Sequence, residues 1–453
     1  MSTDYTEALA HVNTASRPSD LRITDMKIAD ISGAPMHCIM LKLETNQGIT
    51  GYGEVRDWSY KDYALMLKAR LLGENPCEID RIFRKIRQLG THARGAGGVS
   101  AVEIALWDIA AKAYGVPIYQ MLGGKHRDKV RVYCDTDIDG KPDGKRMGAA
   151  LQARLDAGFT FLKMDLGIDL IYDVPGALSA PLGFVEQLKS VHGVGGYDGT
   201  IEERYEAHRR ERLNTIEHPY TAIQITEKGL DWLEQYCADV RSVIGYEVPL
   251  AIDHLGHIGV NEAIKLGRRI EKFNIAWMED AVPWMYTDQY RLLQQSIQIP
   301  VCTGEDIYLH ENFKPLLESG GVQVIHPDIL TVGGIGELKK TADLADEYHV
   351  AMAVHMAETP IAALAAAHVG IASVNLLAQE FHSFDVPWWN DLVEGPAKPI
   401  VDHGFITLSD APGLGIESLN DEVIAEHLHP AVPGIWESTD AWNTRYVHDR
   451  IWS

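Results

Sequence analysis

The chain has 453 residues, 46% of them apolar and 23% charged, the make-up of an ordinary globular protein with room for two or three domains. A formal net charge of −23 excludes a nucleic-acid partner, because phosphates select for excess Lys and Arg. It leaves room for an acidic small molecule, since a metal or a local cation can reverse the sign inside a pocket.

The elements follow in order. Residues 1–20 are a polar leader without the apolar centre of a signal peptide, and no later run reaches 18 apolar residues, so no membrane partner and a cytoplasmic protein are expected. Five scattered cysteines (Cys38, Cys77, Cys134, Cys237, Cys302) with no CxxC pair fit buried thiols in a reducing compartment. "LRITDMKIADI", "HCIMLKLET" and "ITGYGEV", with the turn "NQG" before the last, read as antiparallel strands. Residues 58–90 and 99–122 read as helices, the second closed by Gly123-Gly124. Strands followed by helices suggest an α+β domain over 21–130.

From "VRVYCDT" onward the rhythm changes. The short apolar runs "FTFLKMD", "VPLAIDH", "IAWMED", "IPVCTGED", "VQVIHPD", "VAMAVHMAE" and "VNLLAQEFH" alternate with helical stretches. That is the pattern of βαβ units and a parallel sheet, so 131–400 reads as a (β/α) barrel with its active site at the C-terminal strand ends. Residues 167–230 are too long for one βα connection and read as a substrate-shaping insertion. The segment 401–453 is expected to return to the first domain.

Each barrel strand ends in polar residues at regular intervals. Asp253, Glu279 and Glu305 are 26 residues apart, and Asp328, His355 and Glu380 follow at steps of 23, 27 and 25. A βα unit is about 30 residues, so these side chains fall at equivalent heights and converge. Any one of the acids could simply cap the next helix. Three in register repel one another unless a cation partners them, and a hard divalent ion such as Mg²⁺ takes such oxygen ligands while keeping places for water or substrate. Asp280 and Asp306, one residue on, read as supporting or capping acids. Asp328 beside His355 would fix the imidazole tautomer and raise its basicity, against the plainer reading of a histidine satisfied by a backbone carbonyl. Lys163 and Asp165 end the strand before Asp253. A lysine there can neutralise developing charge or act as a base, unless it is a surface lysine lying along the barrel.

The order KxD, D, E, E, D, H, E on successive strands resembles the enolase superfamily, specifically its mandelate-racemase-like subgroup. "SAVEIALWDIAAKAYGVPIYQMLGG" and "HPDILTVGGIGELKK" match it as well. The resemblance implies an α/β fold, a modified (β/α)7β TIM-like barrel with an N-terminal α+β capping domain, with one Mg²⁺ per subunit and removal of the proton α to a carboxylate. Carried over by position, Asp253, Glu279 and Glu305 are the metal ligands, Asp328 and His355 the dyad, and Glu380 a hydrogen-bonding group for the substrate carboxylate.

Where two-base relatives resemble KxK, this chain has Lys163-Met164-Asp165. A racemase needs bases on both faces of one carbon, whereas a dehydratase can manage with His355 alone. The KxD form and "EFHSFDVPWWNDLV" are similar to sugar-acid dehydratases, so a sugar-acid substrate and elimination of the β-hydroxyl to a 2-keto-3-deoxy acid are expected. Asp165 acting as a weak base keeps a racemase or epimerase as the alternative. Lys163 then serves as an electrostatic partner. His37, Arg56, His92, Arg94 and Trp388 are the candidates for contacting the substrate, and Trp388 could equally pack the cap. A homo-oligomer is expected.

Overall fold

A computed structural model describes residues 16–138, 143–179, 224–253 and 258–446. The leader up to residue 15 and most of the expected insertion (180–223) lie outside the described residues. By internal packing the chain forms two compact units. The first comprises the described residues of Met1–Val132, Gly304–Lys314 and Ile325–Ser453, and the second those of Tyr133–Thr303 and Pro315–Val324.

In the first unit, β1 (Ile23–Ser32), β2 (His37–Thr45) and β3 (Thr50–Val55) form an antiparallel sheet in chain order. The "NQG" turn ends at Gly48, whose φ of +76° suits glycine. Against the sheet packs α2 (Gly97–Tyr114), which is apolar almost all round and accordingly buried. The "GYG" of β3 permits this approach. A Cβ on Gly53 would stand 2.0 Å from the Ala101 carbonyl oxygen, and one on Gly51 2.2 Å from that of Ala105.

Two helical expectations need correction. Residues 58–90 are not one helix but short pieces, Asp62–Leu65, Lys68–Leu71 and α1 (Ile79–Ile86). Gly73, at φ +80°, and Pro76 interrupt the run, and α1 starts only after them. The second helix stops at Gly115, not at Gly123: Gly115 is left-handed at φ +74°, and Pro117 opens a separate turn, Ile118–Met121. The C-terminal segment lies along β1, where Ser32 donates to the His427 carbonyl at 3.0 Å and His429 donates to that of Asp30 at 2.9 Å.

The barrel strands are β4 (Val130–Thr136), β5 (Leu162–Asp165), β6 (Leu250–Asp253), β7 (Ile275–Glu279), β8 (Val301–Thr303), β9 (Val324–Ile325), β10 (Ala351–Val354) and β11 (Leu376–Phe381). They run in chain order, and β11 pairs back to β4, closing an eight-stranded parallel barrel. The intervening helices are α3 (Gly144–Asp156), α4 (Glu227–Ile244), α5 (Val260–Ile270), α6 (Thr287–Ser296), α7 (Lys314–Ser319), α8 (Ile329–Val332) with α9 (Ile335–Glu347), and α10 (Pro360–Ile371). Seven connections and a final strand make this a (β/α)7β barrel, with the antiparallel sheet and α2 as its N-terminal capping domain.

Tyr133, Phe161 and Trp277 pack together inside the second unit, Trp277 edge to face with the other two, with ring centroids 4.8–5.4 Å apart. The described ends of the insertion are tied together there. Leu178 bridges to Ile225, and the Ser179 amide donates to the Gln224 carbonyl at 2.9 Å.

Candidate active site

The second unit carries one group of predicted residues. Side chains two apart on a strand share a face, so Trp277 and Glu279 point the same way, as do Lys163 and Asp165. Asp165 pairs with Asp253 in the β5–β6 register. The Lys163 ammonium is 2.7 Å from Asp253 Oδ2 and 3.1 Å from Glu279 Oε1. The indole of Trp277 donates to the other oxygen of Glu279 at 2.8 Å. Lys163 and Glu279 are buried, so Lys163 is no surface lysine. Asp280 turns aside in a left-handed conformation (φ +43°), accepts from the Thr303 hydroxyl and donates its own amide to Cys302. It supports the strand end. Asp253 and Glu279 are oxygen donors that reach a single cation, which is the donor chemistry a hard divalent ion requires. The residues present fit Mg²⁺.

The first unit carries the other group. Asp328 follows β9 and starts α8. Its Oδ1 accepts from the amides of Leu330 (2.6 Å) and Thr331 (3.0 Å), while its Oδ2 stands 2.7 Å from Nδ1 of His355. The two readings of a strand-end acid are therefore not exclusive: one carboxylate caps a helix and orients an imidazole. His355 Nε2 is 3.0 Å from Glu305 Oε2 and 3.8 Å from Glu380 Oε2.

Glu380 is fully buried, with His326 at 3.4 Å and His382 at 3.3 Å. Neither histidine was singled out from the sequence. A signal existed: His326 is two before Asp328 and His382 two after Glu380, the same spacing as Lys163 and Asp165. Donor atoms of His355, Glu380 and His382 all lie within 4.8 Å of one another, a mixed nitrogen and oxygen set suited to softer ions than the all-oxygen pair.

The candidate substrate contacts separate. Arg56, directly after β3, is completely buried, with NH1 hydrogen-bonded to Asp328 and 3.3 Å from Glu358 Oε1, and NH2 3.5 Å from Glu305. Burial works against its charge, but Asp328, Asp57, Glu358 and Glu305 more than offset this and hold its pKa well above the ordinary value. Burial and the nearby Asp328 push the Glu358 carboxyl well above the usual range. Arg94, a third exposed, is 3.1 Å from Asp306, 3.5 Å from Asp57 and 3.8 Å from Glu305.

The remaining three have other partners. His37 is 2.8 Å from Asp30, and the Nδ1 of His92 accepts the Tyr308 amide at 3.1 Å. Trp388 stacks on His427 with centroids 3.6 Å apart, which is packing.

Residues 8–123 match the mandelate racemase / muconate lactonizing enzyme N-terminal domain, and residues 146–422 the enolase C-terminal domain-like family. A D-xylonate dehydratase of Haloferax volcanii is 31% identical over 93% of this chain and 92% of its own. A D-galactonate dehydratase of Verminephrobacter eiseniae is 28% identical over 88% of this chain and 94% of its own. Among solved structures, a mandelate racemase/muconate lactonizing enzyme-like protein from Rubrobacter xylanophilus superposes with a TM-score of 0.75 at 27% identity, covering 91% of this chain and 99% of that one. Fold and strand-end groups thus define an enolase-type barrel enzyme. The chain belongs to the mandelate racemase / muconate lactonizing enzyme family of that superfamily.

Among the described residues no helix is long and apolar enough to cross a membrane.

Proposed function

We propose that the protein is a sugar-acid dehydratase that removes the proton α to a carboxylate and expels the 3-hydroxyl, giving a 2-keto-3-deoxy acid. The observation that carries this reading is the Asp328–His355 pair. With Oδ1 of Asp328 pinned by two amides, Oδ2 faces Nδ1 at 2.7 Å, and Nε2, 3.0 Å from Glu305 Oε2, is the nitrogen offered to the substrate. His355 takes the α-proton, and the released C–H pair forms the C2–C3 double bond as the C3–O bond breaks. The same proton goes to the departing hydroxyl, which leaves as water, and the enol becomes the ketone. One residue serves as base and then acid, as the KxD departure requires. The names of the dehydratase relatives support this choice over epimerisation.

Asp253, Glu279 and Glu305 would hold Mg²⁺, which when bound would neutralise the charge that builds on the substrate carboxylate. Lys163 lends positive charge beside Asp253 and Glu279, and Glu380 orients a carboxylate oxygen. Of the two candidate arginines, Arg94 rather than the buried Arg56 is exposed enough to meet an acidic substrate. A library of aldonates and aldarates, incubated with the enzyme and Mg²⁺ and assayed for 2-keto acids, tests the reading. The expected result is keto-acid formation with one or a few pentonates or hexonates, abolished in His355→Asn. A stereoisomer formed without loss of water would identify an epimerase instead.

A further inference from the structure

Arg56 is the most heavily engaged cation of the first unit, and its role differs from the one its position in the sequence suggests. Its amide lies so close to α2 that a Cβ on Gly97 would come within 2.6 Å of it, so the backbone is held firmly. Its Nε is 3.0 Å from Asp57 Oδ1, its NH2 3.5 Å from Glu305, and its NH1 3.3 Å from Glu358 Oε1. NH1 also donates to Asp328 Oδ2 and stands 2.8 Å from Nδ1 of His355. Glu358 is itself fixed, its Oε2 accepting from the Ala357 amide at 2.9 Å and its carbonyl from the Trp389 indole at 2.9 Å. The guanidinium fork is thus turned onto four carboxylates of the protein.

Donor counting gives the consequence. A guanidinium only donates, and a carboxylate only accepts. Oδ1 of Asp328 is used by Leu330 and Thr331, so Oδ2 is the one oxygen that Arg56 and His355 can share. With a proton on Nδ1, both N–H groups aim at Oδ2 and Nε2 keeps its lone pair. With Nδ1 bare, NH1 donates to Nδ1 and the proton sits on Nε2, facing Glu305 Oε2 at 3.0 Å, where Nε2 cannot accept another. The position of one guanidinium nitrogen therefore bears on which imidazole nitrogen carries the proton.

We propose that Arg56 is a positioning residue: by fixing Oδ2 of Asp328 beside Nδ1, it sets the tautomer of His355, and it does not contact the substrate. This rests on His355 being the base, so the first measurement needs no turnover. Protein labelled with ¹⁵N-histidine is observed by long-range ¹H–¹⁵N correlation, with the His355 signals identified by their loss in His355→Asn. Ligand-free wild type should show one dominant neutral tautomer, and Arg56→Met a shifted mixture. An imidazole pattern unchanged in Arg56→Met overturns the proposal, even if the protein proves to catalyse something else.

Kinetics supply the second readout. Arg56→Met should lower kcat about 10–100-fold, as loss of an orienting partner typically does, with KM within about twofold. Added guanidinium should restore part of kcat in Arg56→Ala. A tenfold rise in KM with kcat preserved would make Arg56 a substrate contact and sink the idea. Should the neutral variants not fold, Arg56→Lys keeps the charge but not the fork. It should give an intermediate kcat and a shifted tautomer signal, and wild-type values for both would equally overturn the assignment.

Discussion

Asp328 offers one oxygen to the amides that begin α8 and the other to the imidazole of His355, 2.7 Å away. Asparagine at 328 can still cap the helix through its carbonyl oxygen, but its amide donates where an acceptor is needed. Asp328→Asn should therefore retain wild-type thermal stability to within a few degrees while losing about 10²–10⁴-fold in kcat. Steady-state assays alongside thermal melts check this; a large loss of stability would mean that the carboxylate is mainly structural.

Lys163 holds two buried carboxylates, Asp253 and Glu279, through a single ammonium. Lys163→Met leaves two like charges facing each other in a dry strand end, a change that typically costs about 3–5 kcal/mol. A divalent cation should take over part of that role. Melting temperatures with EDTA and with millimolar Mg²⁺ should differ more in Lys163→Met than in the wild type. An equal Mg²⁺ shift in both would argue against these carboxylates as its ligands.

Chelation of the wild-type enzyme should abolish turnover reversibly. Mg²⁺ at 100 times its dissociation constant should stabilise the fold by about 2.7 kcal/mol, if it binds only the folded chain. Activity after dialysis against EDTA and re-addition of Mg²⁺, with unfolding midpoints at each stage, provides the check.

Glu54 and Glu103 make stability depend on pH between the ordinary carboxylate range and about 8. Glu54 is fully buried where it accepts from the Thr359 hydroxyl at 2.6 Å and the Thr359 and Ala362 amides at 3.1 and 3.2 Å. Burial outweighs these bonds and lifts its pKa to about 7. Burial likewise lifts Glu103, which receives the Ile335 and Gly336 amides, to about 8. Between the ordinary carboxylate value and these values the folded chain holds more protons than the unfolded one, so stability falls as pH rises from about 4.5 to 8. Urea midpoints should decline over that range, and Glu54→Gln should flatten the portion up to pH 7. A midpoint that climbs from pH 5 to 8 in the wild type would contradict it.

Gly53 and Gly48 offer a contrast in one strand pair. Alanine at 53 would press its Cβ into the Ala101 carbonyl of α2, whereas a Cβ at Gly48 meets nothing within 4 Å and suffers only from the positive φ. Gly48→Ala should cost about 1 kcal/mol, and Gly53→Ala about 3 kcal/mol or more. Denaturant midpoints of the two variants decide the order.

Much of this architecture is legible in one dimension because strand period and strand spacing are local. The run "NIAWMED" says buried strand, and its distance from "PLAID" and "VCTGED" says neighbouring strands. The switch from alternation before Arg56 to alternating strands and helices after Val130 likewise separates cap from barrel. What was not legible depends on packing. Arg56 resembles any exposed loop arginine until Gly97 and four carboxylates are found around it. Residues 58–90 have helical composition, but Gly73 and Pro76 decide where the turns end. His326 and His382 gain their meaning only from Glu380, which the fold brings to 3.4 and 3.3 Å of them, although a strand end can present two polar residues on the same face.

The antiparallel tie between Leu178 and Ile225 has a consequence for chain length rather than for catalysis. With Ser179 and Gln224 clasped, the two ends of the connection are held side by side, and a loop closed in this way costs only about 0.6 kcal/mol more per doubling of its length. The clasp is thus a splice junction. A change of length between its two sides should therefore cost little closure entropy.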